Sequence, residues 1–471
     1  MNCVELAVRY ARDRPERAAL WLPGWRGGSS TTFGALLSRA STIQKTLRNE
    51  GVGAGDTVLL VDGLGPRLYA IVIALLAIGA AVMLVEPWMP VRRIDAAVRV
   101  ARPKAYVGSR LGRLWGMRVA SIRGIPTWLS ASRLESGSAA GGLNLEAVDP
   151  GDTGILTFTS GTTGNPKGVV RSHGYLVRQH EVLSGALGLG QFDGGDLCIF
   201  ANFVLANLAS GRSSILIPPP WRDSHLRQIA ALPPNLQPET LTCGPGFLLR
   251  LMQSASVPAL ASIHIGGALT DCGIFEAAFN RWPESHWLSV YGSTEAEPVA
   301  TADARIAVTR SRAAGYFQTL YLGKPVAEID SRLEEDGLWV CGPHICPLYL
   351  GDSEANRRYK RRDAQGRIWH CMGDRIRIDE LDGSWWYAGR SNQAPGDFDI
   401  EQNVYGVLQS SKAFLHRDKD GRTILVGEGV SRLAVPGIDD RVEAKIYRDA
   451  RHKARIDRHK TLRKGAKWLL G

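Results

Sequence analysis

The sequence predicts an α/β protein whose largely parallel sheets are flanked by helices. Short apolar runs rich in β-branched residues alternate with longer helical patterns along the chain. This alternation is typical of strand–helix–strand units. With 471 residues, 44% of them hydrophobic and 22% charged, the chain is long enough to bury a large core.

The individual elements follow from this alternation, because short β-rich runs favour strands and longer amphipathic or apolar runs favour helices. The predicted strands are TVLLV (57–61), AVMLV (81–85), AYVGS (105–109), GILTFT (154–159), SILIP (214–218), SIHIG (262–266) and WLSVYG (287–292). The predicted helices span residues 35–50, 68–78, 91–102, 174–187, 245–256 and 271–281.

One stretch, LYAIVIALLAIGAAVMLV (68–85), carries no charge and reaches the length of a membrane span. It is rich in Ala and contains Gly79, which favours a buried helix, a turn at Gly79 and a buried strand over a span. The N-terminal residues mix charges of both signs and lack the apolar core of a signal peptide. We therefore expect no transmembrane span and a cytoplasmic location.

The net charge of +11 is concentrated at the C-terminus, where residues 441–471 hold eleven Lys or Arg and three acidic residues. Such a tail can bind nucleic acid, an anionic membrane surface or phosphorylated ligands, or it can be a solvated basic face. No zinc-finger spacing and no RNA-recognition signature accompanies it, so we expect no nucleic-acid partner.

The seven cysteines are odd in number, widely spaced and free of any CxxC pair. This usage indicates reduced thiols rather than a disulfide framework. Cys341, His344 and Cys346, with His370 and Cys371 further on, match no standard zinc spacing.

Beyond residue 330 the pattern changes. The short runs LWVCG, RIWHC and SWWYAG are separated by Asp/Gly turns and predict hairpins. After Arg390 the turn-rich stretch SNQAPGDFD leads into a small basic module. We therefore predict a large N-terminal domain of residues 1–388 and a small C-terminal domain of residues 389–471.

The stretch TFTSGTTGNPKGVV (157–170) has the residues of a phosphate-binding loop. After a predicted buried strand, residues 160–164 offer hydroxyls and small residues whose backbone N–H groups can approach an anion. Lys167 adds a positive charge. The pattern is not a Walker loop, because Pro166 and Gly168 occupy its last glycine and hydroxyl positions, nor is it a dinucleotide fingerprint. By composition alone such a loop is more often just a turn.

The complete string resembles the phosphate-loop signature of the adenylate-forming superfamily, which includes acyl-CoA synthetases, luciferases and nonribosomal adenylation domains. In that family the loop closes over the β- and γ-phosphates of ATP. A histidine often follows it, so His173 either touches the phosphates or caps the next helix. The resemblance assigns the phosphate contacts to Thr159, Ser160, Gly161, Thr162, Thr163, Gly164 and Lys167.

YGSTEAEP (291–298) resembles the YGxTE motif of the same family. The resemblance implies that Tyr291 stacks near the adenine and that Gly292 and Ser293 also bind the cofactor. Thr294 would contact the α-phosphate and Glu295 would help to hold Mg²⁺. One carboxylate with phosphate oxygens is a usual ligand set for Mg²⁺, whereas Glu295 taken alone would suggest only a surface acid.

Further segments of the chain resemble family motifs, in the same order in which the family has them. IGGA (265–268) resembles the strand that lines the adenine and acyl slot, which assigns Gly267 and Ala268 to that slot. LGKP (322–325) and DGLWVCGPHICPLYLGD (336–352) look like the next family segments. WHCMGD (369–374) matches the segment ending in the ribose-binding aspartate, Asp374, and a carboxylate can accept two bonds from a ribose diol. WYAGR (386–390) matches the arginine before the interdomain hinge, Arg390.

The resemblance implies a fold and a reaction. We expect a large N-terminal domain of two parallel-rich sheets with helices and a small β-barrel part, and a small α+β C-terminal lid. We expect ATP and Mg²⁺ to activate a carboxylic acid as its adenylate, with release of pyrophosphate. Residues 203–207 and 266–269, which are small or apolar, are expected near the acyl pocket.

Within the superfamily the sequence looks closest to the β-lactone synthetases of bacterial olefin pathways, which are often labelled long-chain fatty-acid ligases. The motifs that carry this are YGSTEAEPVA, RIWHCMGDRIRIDELDGSWWYAGRSN and DARHKARIDR. Such enzymes adenylate a β-hydroxy acid, whose β-oxygen then displaces AMP within the same molecule. The alternative is transfer to CoA or to a thiol on a separate carrier protein.

Three features depart from the family pattern. Arg455 stands where the family has an essential C-terminal lysine, and Arg does not reproduce the shape of Lys. Lys453 lies two residues away and is an alternative source of that charge. The lid is short, and Asn392 occupies the usual hinge position. These departures leave a second hypothesis open, a degenerate member that binds ATP, AMP or an acyl ligand without turnover. A third hypothesis is a nucleic-acid or membrane-surface protein that uses the basic tail.

Overall fold

The computed structural model describes residues 1–25, 27–86, 89–137, 141–159, 167–254, 259–449 and 455–470, with only the backbone at Thr159, Ala201, Asn202 and Leu470. The strands in these ranges are β1 Ala18–Leu22, β2 Ser29–Thr32, β3 Thr57–Val61, β4 Ala81–Leu84, β5 Ala105–Gly108, β6 Thr127–Ser130, β7 Thr153–Thr159, β8 Lys167–Ser172, β9 Gly195–Cys198, β10 Ser214–Leu216, β11 Pro238–Cys243, β12 Ser262–Gly266, β13 His286–Ser293, β14 Ala296–Asp303, β15 Tyr321–Pro325, β16 Asp330–Glu334, β17 Gly337–Cys341, β18 Tyr349–Leu350, β19 Lys360–Arg362, β20 Ile368–Cys371, β21 Asp374–Ile378, β22 Trp385–Arg390, β23 Ala413–Arg417, β24 Thr423–Gly427 and β25 Asp440–Glu443.

The α-helices of the same ranges connect or flank these strands. They are α1 Glu5–Asp13, α2 Phe33–Asn49, α3 Pro66–Ile78, α4 Val91–Ala101, α5 Arg110–Gly116, α6 Ala120–Arg123, α7 His173–Leu187, α8 Ala201–Ala209, α9 Asp223–Ala230, α10 Pro245–Met252, α11 Cys272–Arg281, α12 Ala304–Ala313, α13 Ser353–Tyr359, α14 Asp397–Leu408 and α15 Arg458–Gly465.

Two large sheets form the main body. The first has the strand order β18-β8-β7-β4-β3-β5-β6 and the second has the order β2-β1-β10-β9-β11-β12-β13-β14-β15-β22-β21. Strands β7, β4, β3, β5 and β6 are parallel, as are β1, β10, β9, β11, β12 and β13, while the remaining pairs are antiparallel. The predicted α/β class with two parallel-rich sheets is therefore confirmed.

The predicted small β-barrel is instead an open sheet. Strands β16, β17, β20 and β19 pair in that order and are antiparallel throughout. The two outer strands, β16 and β19, do not pair with each other, so no barrel closes among the described residues. The three predicted hairpin runs become β17, β20 and β22.

The apolar stretch around Gly79 folds as a buried helix, a turn and a strand, as predicted. Pro66 occupies the first turn of α3, where a missing N–H costs nothing. Gly79 ends the helix at a φ of +79°, which favours glycine, and β4 follows. Every residue from Tyr69 to Ile78 is buried in the protein core. Within the described ranges, no helix is both long enough and apolar enough to cross a membrane.

The segment after Arg390 packs against the rest of the chain. Its helix α14 and its sheet β23-β24-β25 enclose an apolar cluster that also contains Phe317 from the preceding part. Gln402 donates a hydrogen bond to Gln318, and Ser411 donates one to Asp271. Just after β22, one nitrogen of Arg375 donates to the carbonyls of Ser391 and Gln393, both at 3.0 Å.

A buried polar network underlies the parallel strands β9, β10 and β11. Asp196 is 1% exposed and accepts hydrogen bonds from Thr240, Thr242 and Asn207. Thr240 also accepts one from the guanidinium of Arg212, which is 2% exposed. The charge of Asp196, together with that of Glu239, opposes the cost of burying the Arg212 guanidinium.

We predict that Asp196→Ala lowers the free energy of unfolding by about 3 kcal/mol or more, because Arg212 is left buried without its counter-charge. The matched control is Asp193→Ala, since Asp193 pairs with Arg17 while its own side chain is 87% exposed. That change should cost less than about 1 kcal/mol. Denaturant titrations compare the two variants, and equal midpoints would contradict the role given to Asp196.

Candidate active site

The candidate site lies where the two large sheets meet. The phosphate-loop motif joins β7 to β8, which pair with Thr159 opposite Lys167. Ser160, Gly161, Thr162, Thr163 and Gly164 lie outside the described residues, as does the Thr159 side chain. The motif YGSTE ends β13 and turns into β14 of the other sheet.

Arg171 on β8 links these two motifs. Its Nη1 donates to the hydroxyl of Thr157 on β7 at 3.0 Å, and its Nη2 donates to the carbonyl of Thr294 at 3.1 Å. Arg171 is 8% exposed, so these bonds form largely out of water, where they are strong. The guanidinium therefore fixes the position of the YGSTE turn relative to the strands that carry the phosphate loop.

Lys167 points into an aromatic pocket beside this turn. Its ammonium lies 3.9 Å from the ring centre of Tyr359 and 5.2 Å from that of Tyr349. Desolvation lowers the pKa of Lys167, and the nearby carboxylate of Glu295 works against that shift. The two rings hold a partly desolvated cation through cation–π attraction, so it is ready to pair with an anion.

Glu295 faces the same pocket. The Tyr349 hydroxyl donates to Glu295 Oε1 at 2.9 Å. Desolvation acts to raise the pKa of Glu295, but His370, Lys360 and the Tyr349 hydroxyl outweigh it, and the pKa is lowered. Glu295 is therefore held as a carboxylate, the form that a divalent cation needs.

Lys360 supplies a second cation to this pocket. Its ammonium donates to the Cys346 carbonyl and lies 5.2 Å from the ring centre of Tyr349. The backbone N–H of Cys346 in turn donates to the carbonyl of Glu295 at 2.8 Å. Lys360 thus holds the segment that positions Glu295 and also places a positive charge close to it.

The turn between β13 and β14 needs a glycine and carries Thr294 and Glu295, both partly exposed. A Cβ on Gly292 would lie 2.8 Å from the carbonyl oxygen of Ala296, too close for any other residue. Thr294 and Glu295 form the turn itself, and the hydroxyl of Ser293 accepts a hydrogen bond from the Glu295 N–H.

Tyr291, Asp374 and Arg390 form a second cluster near the same turn. The Tyr291 hydroxyl donates to Asp374 Oδ2 at 2.7 Å, and Arg390 Nη1 lies 2.9 Å from Asp374 Oδ1. Asp374 and Arg390 are directly opposite each other on β21 and β22. Burial raises the pKa of Asp374, and Arg390 and the Tyr291 hydroxyl oppose that shift.

Arg455 reaches this cluster from the C-terminal segment. Its Nε donates to the carbonyl of Gly267 at 2.9 Å, and its charge acts to lower the pKa of Asp374. Gly267 has a φ of +86°, a conformation that favours glycine, and Ala268 follows it. The structure thus brings together residues 267, 291, 374, 390 and 455, whereas Lys453 lies outside the described residues.

Comparison with known proteins identifies the family. The model of the AMP-binding enzyme family matches residues 8–338, more than half of the chain. The chain belongs to the AMP-binding enzyme family. An olefin β-lactone synthetase of Stenotrophomonas maltophilia is 27% identical over 92% of this chain and 87% of its own length. One of Xanthomonas campestris is 26% identical over 83% and 78%.

Solved structures of other proteins have the same fold as this chain. ATP-bound MatB from Rhodopseudomonas palustris matches with a TM-score of 0.76 over 98% of both chains, at 17% sequence identity. Together with the family match, this makes the protein an acyl-adenylate-forming enzyme, as the motifs predict.

In this AMP-binding enzyme, the structure gives His173 and Asn207 contacts that differ from those expected from the sequence. Ser172, not His173, caps α7 through its hydroxyl, and the buried His173 ring accepts the backbone N–H of Cys3. Desolvation lowers the pKa of His173 to about 4. Asn207, expected near the acyl pocket, instead donates to Asp196 in the buried network.

Sequence reasoning missed four residues of the site. Tyr349 lies in the family-like segment 336–352, in which it has no assigned role. Tyr359 and Lys360 lie in the run YKRRD, whose charges are typical of a solvent-exposed surface. Arg171 has one detectable signal, a charge at the end of an otherwise apolar strand, GVVRS. Their roles depend on contacts between distant segments, such as the one from Arg171 to Thr294, which are 123 residues apart.

We predict that Lys360→Met slows acid-dependent ATP–pyrophosphate exchange by about tenfold or more, because it removes a charge beside Glu295 and the bond to Cys346. Lys324→Met is the matched control, since Lys324 is exposed near the end of β15. Thermal unfolding of both variants verifies that they fold. Unchanged exchange in a folded Lys360→Met variant would show that the charge is dispensable.

Proposed function

We propose that this enzyme activates a fatty or β-hydroxy fatty acid with ATP and Mg²⁺ and then closes the adenylate to a β-lactone. The observation that carries the proposal is the convergence of two charged clusters near the end of β13, where Glu295 of one cluster acts electrostatically on Arg390 of the other. One contains Lys167 and Glu295, and the other contains Asp374 and Arg390. The two olefin β-lactone synthetase relatives support the choice of acid and second step.

The second cluster suits the nucleoside part of ATP. Asp374 can accept hydrogen bonds from the two ribose hydroxyls once its present donors rearrange. Tyr291 would offer an aromatic face to the adenine, and residues 267 and 268 would line the same slot. The phosphates would then extend past Thr294 toward Lys167 and the loop of residues 160–164, whose contacts remain assigned by their motif.

The first cluster fits a magnesium ion. Mg²⁺ in nucleotide sites is usually held by one or two carboxylates and by phosphate oxygens, and Glu295 supplies an ionised carboxylate. When bound, Mg²⁺ would neutralise charge on the phosphates and withdraw electrons from the reacting phosphorus.

The first half-reaction needs positioning and charge rather than a protein nucleophile. An oxygen of the substrate carboxylate forms a bond to the α-phosphorus of ATP, and the bond from that phosphorus to the bridging oxygen of pyrophosphate breaks. Lys167 neutralises the departing pyrophosphate, while Arg455 places a second cation at the nucleoside end of the same cleft.

The acid would lie along apolar side chains beside β13. Leu288 and Val290 remain partly exposed although β13 has a paired strand on each side. Phe200 and Leu205 are likewise partly buried against the same core cluster. Side chains that are apolar and incompletely covered at this depth suit an alkyl chain.

The second half-reaction distinguishes the possible products. In lactone closure, the β-hydroxyl oxygen bonds to the acyl carbon, AMP leaves and the hydroxyl proton is released. Intramolecular attack needs no separate acceptor. Transfer to CoA or to a carrier-protein thiol is the alternative, and it would require an acceptor from outside this chain.

We further propose the two-domain division at residues 388 and 389, with residues 389–471 acting as a lid. The hydrogen bond from Arg455 to Gly267 supports a role of this segment at the nucleotide slot.

We predict acid-dependent ATP–pyrophosphate exchange that is strongest with β-hydroxy fatty acids. Lys167→Ala should reduce the exchange by at least about a hundredfold, because it removes the cation that meets the leaving group. Product analysis with and without CoA follows, and a product equal to the acid less one water, formed without CoA, identifies the lactone. Exchange with a CoA-dependent thioester as sole product would refute lactone closure but keep adenylation.

We predict that Arg455→Ala slows the same exchange by about a hundredfold, whereas Arg455→Lys stays within about tenfold, because the charge matters more than its shape. Arg432→Ala, an exposed position of the same segment, serves as control. The replacement of the family lysine by Arg455 is the observation that favours the second candidate, a binder without turnover. Nucleotide binding without exchange in the unaltered protein would establish that candidate instead.

A further inference from the structure

An unusual surface lies on α5 and α6, far along the chain from the candidate active site. Leu111 is 77% exposed, Leu114 is 53% exposed and Met117 is 50% exposed. Their spacing of three residues places them on one side of the helical segment. Single exposed apolar residues are ordinary, but three within seven residues form a patch. We define the α5–α6 surface as Arg110, Leu111, Leu114, Met117, Arg118 and Arg123.

The charges around this patch have one sign. Residues 109–124 contain four arginines and no acidic residue. Arg110, Arg118 and Arg123 are exposed, and Arg123 donates to the Met117 carbonyl at 3.0 Å, which keeps it beside the apolar side chains. Asp95 of the neighbouring α4 is already engaged, since it accepts from the Ser121 N–H and pairs with Arg99.

The α5–α6 surface lies near the edge of the sheet at which β7 ends. Strand β5 is parallel to β3, which is parallel to β4, which is parallel to β7. Helix α5 follows the end of β5, just as the phosphate loop follows the end of β7. Both therefore emerge from the same edge of the sheet, three strand spacings or roughly 14 Å apart.

We propose that the α5–α6 surface docks the enzyme reversibly on an anionic lipid bilayer. Apolar side chains flanked by arginines match an interface that offers acyl chains beside anionic headgroups. Charge complementarity selects an anionic partner, and the exposed Leu111, Leu114 and Met117 favour a lipid partner over a nucleic acid, whose backbone offers them nothing to bury against. Docking here turns the edge that carries the phosphate loop toward the membrane. This surface is distinct from the basic C-terminal tail, and the proposal does not depend on the identity of the acid.

The test is co-sedimentation of the full chain with vesicles of phosphatidylcholine alone or mixed with phosphatidylglycerol. We expect binding to the mixed vesicles only, weakened by salt. Leu114→Glu and Arg118→Glu should each reduce it by about fivefold or more. The matched controls are Leu381→Glu, at a residue 97% exposed on the turn between β21 and β22, and Lys419→Glu on the turn between β23 and β24. Both controls should bind like the unaltered protein.

Four outcomes would overturn the proposal. These are absence of binding, equal binding to neutral vesicles, equal losses in the controls, and loss only when Arg463 and Lys464 of the tail are changed to Glu. Stable capture of an acidic protein by this surface without vesicle binding would likewise assign it to a protein partner. Pyrophosphate exchange in solution should be unchanged in all these variants, which separates docking from catalysis and verifies folding.

Discussion

The active site depends on one buried guanidinium that joins two sheets. The β13–β14 turn and the β7–β8 hairpin belong to different sheets, so pairing within each large sheet does not by itself position one relative to the other. Arg171 does so by donating to Thr157 in one sheet and to Thr294 in the other. The segment around Cys346 adds a second link, because its N–H reaches Glu295 and its thiol reaches the Val170 carbonyl. Phosphate chemistry across such a junction requires this rigidity, since reacting groups displaced by an ångström lose most of their effect.

The two charged clusters are held by different means. Lys167 lies against tyrosine rings, and the charges of Glu295 and Asp352 act on it from nearby. Asp374, by contrast, is already paired with Arg390 and bonded to Tyr291. In the orientation proposed above, the phosphates would meet a lysine held by rings and by nearby charges, whereas the ribose would partly replace existing bonds between protein side chains.

The sequence predicts the strands and the motif residues of this protein better than it predicts contacts between distant segments. The predicted strands 57–61 and 262–266 match β3 and β12, because short β-branched runs in a parallel sheet are locally distinctive. The motifs likewise predict that Tyr291, Asp374 and Arg390 share a site, which they do. Lys360 could not be predicted, because its neighbours Cys346 and Glu295 come from other segments. The barrel expectation failed for a similar reason, since closure depends on whether β16 meets β19 rather than on either strand alone.

The contacts of Arg375 involve the backbone just after β22 and leave Arg390 itself within the large sheet. This side chain on β21 holds the carbonyls on either side of Asn392, immediately beyond the last strand of the large sheet. Arg390, one residue before that stretch, belongs to the sheet and pairs with Asp374 there. A rotation of the backbone at residues 391–393 would break the Arg375 bonds but leave the Arg390 pair in place. The pair of Asp374 and Arg390 would therefore persist through such a rotation, whereas the bonds from the C-terminal segment to Gln318, Asp271 and Gly267 would have to break as well.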